Sequence, residues 1–165
     1  ENKNLVDIPN YEGLYKFDTD LEQVYSYYTN KYLKHSLYGK SYYQVDLYKN
    51  SKGKKYGIHQ LVYIINNPTE DIIGYEIDHI DGNPLNNNIN NLRKATRSEN
   101  CSNTKTRITN KSTGIKYINK TRNSFRFKLT KNGITYCKYF NNLQDAIEYK
   151  DIKVKEINGE FANLG

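Results

Sequence analysis

Apolar and polar positions alternate over short runs in the first third of the chain, which is the period of half-buried strands. Asp7 to Phe17 reads as a β-rich opening with a turn at Gly13, and Val24 to Tyr28, Tyr32-Leu33 and Tyr42 to Tyr48 follow as strands. In the last of these Tyr43, Val45 and Leu47 alternate with Gln44, Asp46 and Tyr48, and Ser51-Lys52-Gly53-Lys54 reads as a hairpin tip. A small antiparallel sheet is the expected result. The period then lengthens, and a helix is expected over His59 to Ile65. Tyr75-Glu76-Ile77 is strand-like, Asp81-Gly82-Asn83-Pro84 is a turn, and an asparagine-rich loop leads to a short run from Leu92 to Ala95. A helix start is expected at Ser98, which completes a ββα unit.

Thr104 to Thr113 is polar, basic and without periodicity, as an extended linker would be. Beyond it Gly114 to Lys120, Ser124 to Thr130 and Ile134 to Phe140 read as three strands, the last two joined through Lys131-Asn132-Gly133. Phe125, Phe127 and Leu129 share one face of the middle strand, and Arg126 and Lys128 share the other. Asn142 is an N-cap with Asp145 three residues on. Leu143, Ala146, Ile147, Val154 and Ile157 then recur at helical spacing, with Lys150 interrupting the stripe. The expected class is α+β. Its expected parts are a β module over 1–56, a ββα unit over 57–104, a basic linker over 105–113 and a sheet-plus-helix domain over 114–165.

Composition explains why several small parts are expected. Hydrophobic residues are 36% of the chain, and the mean hydropathy is −0.91. One large core is excluded, and modules this small sit near the stability limit. The 17 tyrosines supply apolar area that tolerates half-exposure, because the hydroxyl stays wet.

Net charge is +7, and between Arg93 and Lys138 thirteen lysines and arginines face one acid, Glu99. Clustered cations of this kind suit a polyanion, since counterions released from phosphates favour binding. Arg93, Lys105, Arg107, Lys116, Arg122, Arg126, Lys128 and Lys138 are the candidates for DNA contact, each with solvated surface charge as the bland alternative. No basic amphipathic helix favours a membrane. Cys101 and Cys137 are too few for a structural zinc site or a disulfide framework, which fits a reducing compartment. With a polar N-terminus and no apolar run of membrane length, a soluble intracellular protein is expected. Its place would be the cytoplasm, or the nucleus or a viral factory in a eukaryotic host.

The chemistry concentrates between Glu76 and Asn103, E-I-D-H-I-D-G-N-P-L-N-N-N-I-N-N-L-R-K-A-T-R-S-E-N-C-S-N. Neighbouring side chains in a strand point to opposite faces, so Asp78 can serve a metal while His79 serves another part of a site. A hard divalent ion accepts one carboxylate, one amide oxygen and waters, and Asn100 can supply the amide oxygen. An imidazole titrates near neutrality and suits proton removal from water.

This stretch resembles the HNH, or ββα-metal, nuclease motif of phage and viral homing endonucleases. The resemblance implies His79 as general base and Asn91 as the asparagine that braces the loop and the histidine. It implies Asp78 and Asn100 as metal ligands, with asparagine where other members carry histidine. I-P-N-Y-E-G-L-Y and I-H-Q-L-V resemble the nuclease-associated modular domain that precedes such motifs, with Gln60 where the family usually has arginine. G-I-K-Y and F-x-x-x-x-x-A-I-x-Y, over Ser112 to about Asn163, resemble the APETALA/ethylene-response-factor domain, whose sheet enters the major groove.

The expected function is site-specific DNA hydrolysis with a divalent metal, magnesium first and manganese second, on double-stranded DNA by a monomer or weak dimer. A non-cleaving DNA-binding regulator built from the same modules is the alternative, and an RNA-binding protein leaves the motif spacing unexplained. His59 reads better as a histidine bonded within the fold than as a catalytic group, and His35 as a surface residue.

Overall fold

A computed structural model of the chain describes residues 4–39, 41–104 and 112–165. The chain divides into two compact units, Glu1–Lys94 and Ala95–Gly165, each with a hydrophobic core of its own.

In the first unit β1 (Leu5–Asp7), β2 (Tyr15–Asp18), β3 (Gln23–Ser26) and β4 (Lys31–Tyr32) form a four-stranded antiparallel sheet in chain order. A second antiparallel sheet follows from β5 (Ser36–Tyr38), β6 (Tyr42–Lys49) and β7 (Lys52–Gly57). The expected alternation in β6 is present at Val45 and Leu47, which are buried, while Tyr43 is 48% exposed. The hairpin tip falls two residues earlier than the glycine suggests. Lys49 pairs with Lys52, and the turn is Asn50-Ser51, both at positive φ (52° and 62°). Two consecutive left-handed residues match the strand twist, and asparagine tolerates that conformation.

Helix α1 (Ile58–Asn66) lies one residue beyond the expected span at each end. Its start is fixed by Gln60, whose Oε1 accepts from Gly57 N at 2.9 Å. Ile58, Leu61, Val62 and Tyr63 turn inward to join Ile8, Phe17, Val24 and Leu47 in the core. β8 (Glu76–His79) pairs with β9 (Leu92–Ala95) across the asparagine loop, which ends in a 3₁₀ turn over Ile89–Asn91.

The second unit holds α2 (Arg97–Asn103), then β10 (Ile118–Lys120), β11 (Phe125–Lys131), β12 (Ile134–Phe140) and α3 (Leu143–Asn158). Thr96 caps α2, its hydroxyl accepting from Glu99 N while Glu99 accepts from Thr96 N. The first strand is shorter than Gly114 to Lys120. Gly114 (φ 71°) and Tyr117 (φ 66°) bend the chain, and Ile118 N bonds to Ile115 O. The three strands form one antiparallel sheet with α3 packed on it. Phe127, Leu129 and Val154 are the buried centre of that core. Lys150 does not interrupt the packing, because its stem is buried and its ammonium donates to Leu164 O at 2.6 Å. Among the described residues no helix is long and apolar enough to cross a membrane.

Candidate active site

Asp78 and His79 close β8 at 5% and 4% exposure, and their side chains meet different partners, as a strand requires. Asp78 Oδ2 accepts from Arg93 Nε and Nη2 on β9, both at 2.9 Å. Arg93, expected as a DNA contact, is 14% exposed and compensates a buried carboxylate here. Removing one partner of a buried ion pair leaves an uncompensated charge. Arg93→Ala is therefore expected to lower the unfolding free energy of the metal-free protein by about 3 kcal/mol. Urea unfolding of wild type and variant side by side measures it, and equal midpoints would refute the pairing.

His79 Nε2 lies 3.2 Å from Asn87 Oδ1, and Asn87 Nδ2 donates to Glu22 Oε2 at 2.8 Å. The His79 ring also packs against two others, His59 at 5.1 Å and Tyr42 at 5.9 Å between centroids. His59 sits so close over Gly57 that a Cβ there would fall 2.5 Å from His59 Cε1. Position 57 therefore tolerates no side chain without moving the ring stack.

Burial, reinforced by His79, lowers the His59 pKa from 6.5 to about 4. The native state thus refuses a proton that the unfolded chain accepts below its own pKa of about 6.5. Stability from this source is intact above pH 6.5 and falls as the pH drops toward 4, by up to about 3 kcal/mol. Over that window wild type is expected to lose about that much more stability than His59→Gln, as read by urea titrations at each pH. Parallel pH profiles for the two proteins would contradict it.

The loop after β8 is held by its own amides. Asn91 Oδ1 accepts from Asp81 N at 3.0 Å, and Asn91 Nδ2 donates to Asp81 Oδ1 at 3.0 Å and to Asn86 O at 2.8 Å. The Asn86 amide, with the backbone N–H of Asn83, holds the Asp81 carboxyl below its usual range. Asn91 thus bonds across the loop, while the amide bonded to the histidine ring is that of Asn87. Sequence reasoning does not single out Asn87, Glu22 or Tyr42. Asn87 is one of a run of asparagines, and Glu22 is 65 positions from it. Gln60, at the family's arginine position, caps α1.

Asn100 lies on α2 in the second unit, its N–H bonded to Thr96 O at 3.0 Å. Among the described residues no group of three or more histidine, cysteine, aspartate and glutamate side chains gathers as a metal site. A hard ion held by one carboxylate, one amide oxygen and water needs no such group.

The basic candidates separate by placement. Arg126 and Lys128 lie on the face of β11 away from Phe127 and Leu129, opposite Tyr139 and Cys137. Arg122 is exposed in the β10–β11 turn. Lys138 sits opposite Phe127, on the helix side of the sheet, with its ammonium 4.5 Å from the Tyr149 ring centre. Lys116 donates to Ser102 O at 2.8 Å and to Thr104 O, so it caps the carbonyl end of α2. Burial, helped by Lys150, lowers its pKa to about 8. Lys105 and Arg107 lie outside the described residues, as does most of the expected linker.

In chain order, a strand ending in buried Asp-His is followed by an amide-braced loop, a second strand and a short helix. Residues 56–101 match the family model described as HNH endonuclease. It is 38% identical over 107 residues to DNA endonuclease I-HmuI of Bacillus phage SP01, across 62% of this chain and 58% of that protein. The match thus spans a little over half the length of that relative. Protein 3.8 of Escherichia phage T7 is 38% identical over 93 residues, covering 55% of this chain and 76% of its own. The solved structure titled "DNA binding and cleavage by the HNH homing endonuclease I-HmuI" aligns with 93% of this chain and 90% of that one. Its TM-score is 0.52 and its identity 27%.

Proposed function

We propose that this chain is a site-specific, divalent-metal-dependent DNA endonuclease of the HNH homing type. One observation carries the reading: at the end of β8 a buried imidazole is fixed by a side-chain amide, next to a buried carboxylate on another partner. The similarity to a phage homing endonuclease over nearly the whole chain supports it.

His79 takes a proton from a water molecule as that water attacks phosphorus in line. The bond from phosphorus to the 3′ oxygen breaks, and that oxygen takes up a proton from solvent, leaving 5′-phosphate and 3′-hydroxyl ends. The motif assigns the metal, magnesium first, to Asp78 and Asn100. When bound, such an ion supplies positive charge for the crowded phosphate and the departing oxygen. Asn91 keeps the loop closed behind the histidine. Arg122, Arg126 and Lys128 are the cations that the second unit offers to DNA, in the sheet-reading manner of the APETALA/ethylene-response-factor resemblance. One such site in a monomer nicks a single strand, and cutting both requires a second binding event.

Supercoiled plasmid carrying a matched site should relax in magnesium and stay supercoiled in EDTA. Relaxation that is indifferent to the chelator would refute metal dependence.

A further inference from the structure

His79 Nε2 is linked through the Asn87 amide to a carboxylate of the opening sheet, that of Glu22. Asn87 is 9% exposed, and both ends of its amide are used: Nδ2 donates to Glu22 Oε2 at 2.8 Å, and Oδ1 lies 3.2 Å from His79 Nε2. A carboxylate only accepts, so Glu22 compels Asn87 to turn its NH2 toward it and its oxygen toward the ring. An amide oxygen also only accepts. His79 Nε2 must then carry the hydrogen, and in the neutral ring the lone pair belongs to Nδ1.

Glu22 holds its place in a costly backbone conformation. It lies in the β2–β3 turn at φ 50°, where glycine or asparagine would be less strained. The turn around it is built by Asp18, whose Oδ1 accepts from Asp20 N at 3.1 Å and Leu21 N at 3.0 Å. Such strain persists where surrounding structure fixes the residue, and it gathers at functional positions.

We infer that Glu22 is a positioning residue for catalysis. By orienting the Asn87 amide it fixes the His79 tautomer, so that Nδ1 is the atom that receives the proton from water. The inference rests on the nuclease reading for its consequence but not for its geometry. It gives the opening sheet a part in the chemistry, since without Glu22 the Asn87 amide is released to rotate and present its NH2 to the ring.

The decisive experiment reads the imidazole nitrogens of the full chain by 15N NMR, free of metal and DNA, at a pH where the rings are neutral. His79 is assigned by difference from variants at His35 and His59. Wild type is expected to show hydrogen on Nε2 alone, and Glu22→Gln a mixture of tautomers. On cleavable DNA, Glu22→Gln should lower kcat about tenfold to a hundredfold with KM little changed. The double variant Glu22→Gln/Asn87→Asp restores the donor–acceptor order. The amide introduced at position 22 can donate to the carboxylate introduced at position 87, which in turn accepts from Nε2–H. It should recover both the single tautomer and most of the rate.

Hydrogen on Nδ1 in wild type, an unchanged tautomer in Glu22→Gln, or a double variant no better than the single one would each overturn the proposal. A wild-type protein that cuts no DNA would sink the nuclease reading, and the nitrogen spectra would still decide the relay.

Discussion

Alanine at position 79 is expected to slow metal-dependent DNA cleavage by about a hundredfold to ten-thousandfold while leaving DNA affinity nearly unchanged. The ring is 4% exposed and packs on His59 and Tyr42, so little of it meets solvent. On the proposed reading its removal takes away the proton acceptor and leaves the candidate DNA-contacting cations in place. The same burial means that alanine also opens a cavity, and a rate loss alone could report loosened packing. His79→Gln separates the two, because it fills much of the space yet cannot take up a proton near neutrality. Both variants should be slowed to that extent, and the glutamine protein should unfold at a urea concentration closer to wild type. A glutamine variant that cleaves as fast as wild type would remove His79 from its role.

Phe127→Ala should cost about 3–5 kcal/mol, which is most of what a unit this small can possess. Phe127 is fully buried, meets Tyr149 edge-on at 5.4 Å between centroids, and shares its core with Leu129 and Val154. Few other residues exist to absorb the loss. Because α2 belongs to the same unit, the variant should lose the ordered signals of Asn100 together with those of the sheet. Lys116 on the carbonyl end of α2, and Lys131 on Ser102 Oγ at 3.1 Å, are the bonds through which that loss reaches the helix. The first unit keeps its own core and should retain its melting transition. Calorimetry and residue-resolved NMR test this directly. An intact α2 in a protein whose sheet has melted would contradict the assignment of that helix to the second unit.

These two residues also mark what can be read from sequence. The placement of Asp78 and His79 at the end of a strand, with Asn91 in the loop after it, is legible because the spacing is compact and local. Phe127 is legible because strand alternation places it opposite Arg126 and Lys128. The hairpin turn at Asn50-Ser51 lies two residues from where the glycine places it, since two consecutive positive-φ positions leave no mark as plain as a glycine.

Glu22 and Asn87 are not legible. A run of asparagines looks uniform until turn geometry assigns each amide its partner, and no local pattern ties a turn in the first sheet to a loop 65 positions away.

Charge is the least informative signal. Arg93, Lys116 and Lys138 count equally with Arg126 and Lys128 toward a polyanion surface. Yet one of them faces a buried carboxylate, one caps a helix and one stacks on a tyrosine. Counting cations gives the sign of a surface but not which ammonium groups remain available to it.

The measurement closest to the centre of this account is selection of cleaved ends from a randomised duplex library in magnesium, run in parallel with wild type and His79→Ala. The account predicts a recurring sequence among wild-type ends, with 5′-phosphate termini, and none with the variant. A library left uncut by wild type, or cut equally by both proteins, would contradict it.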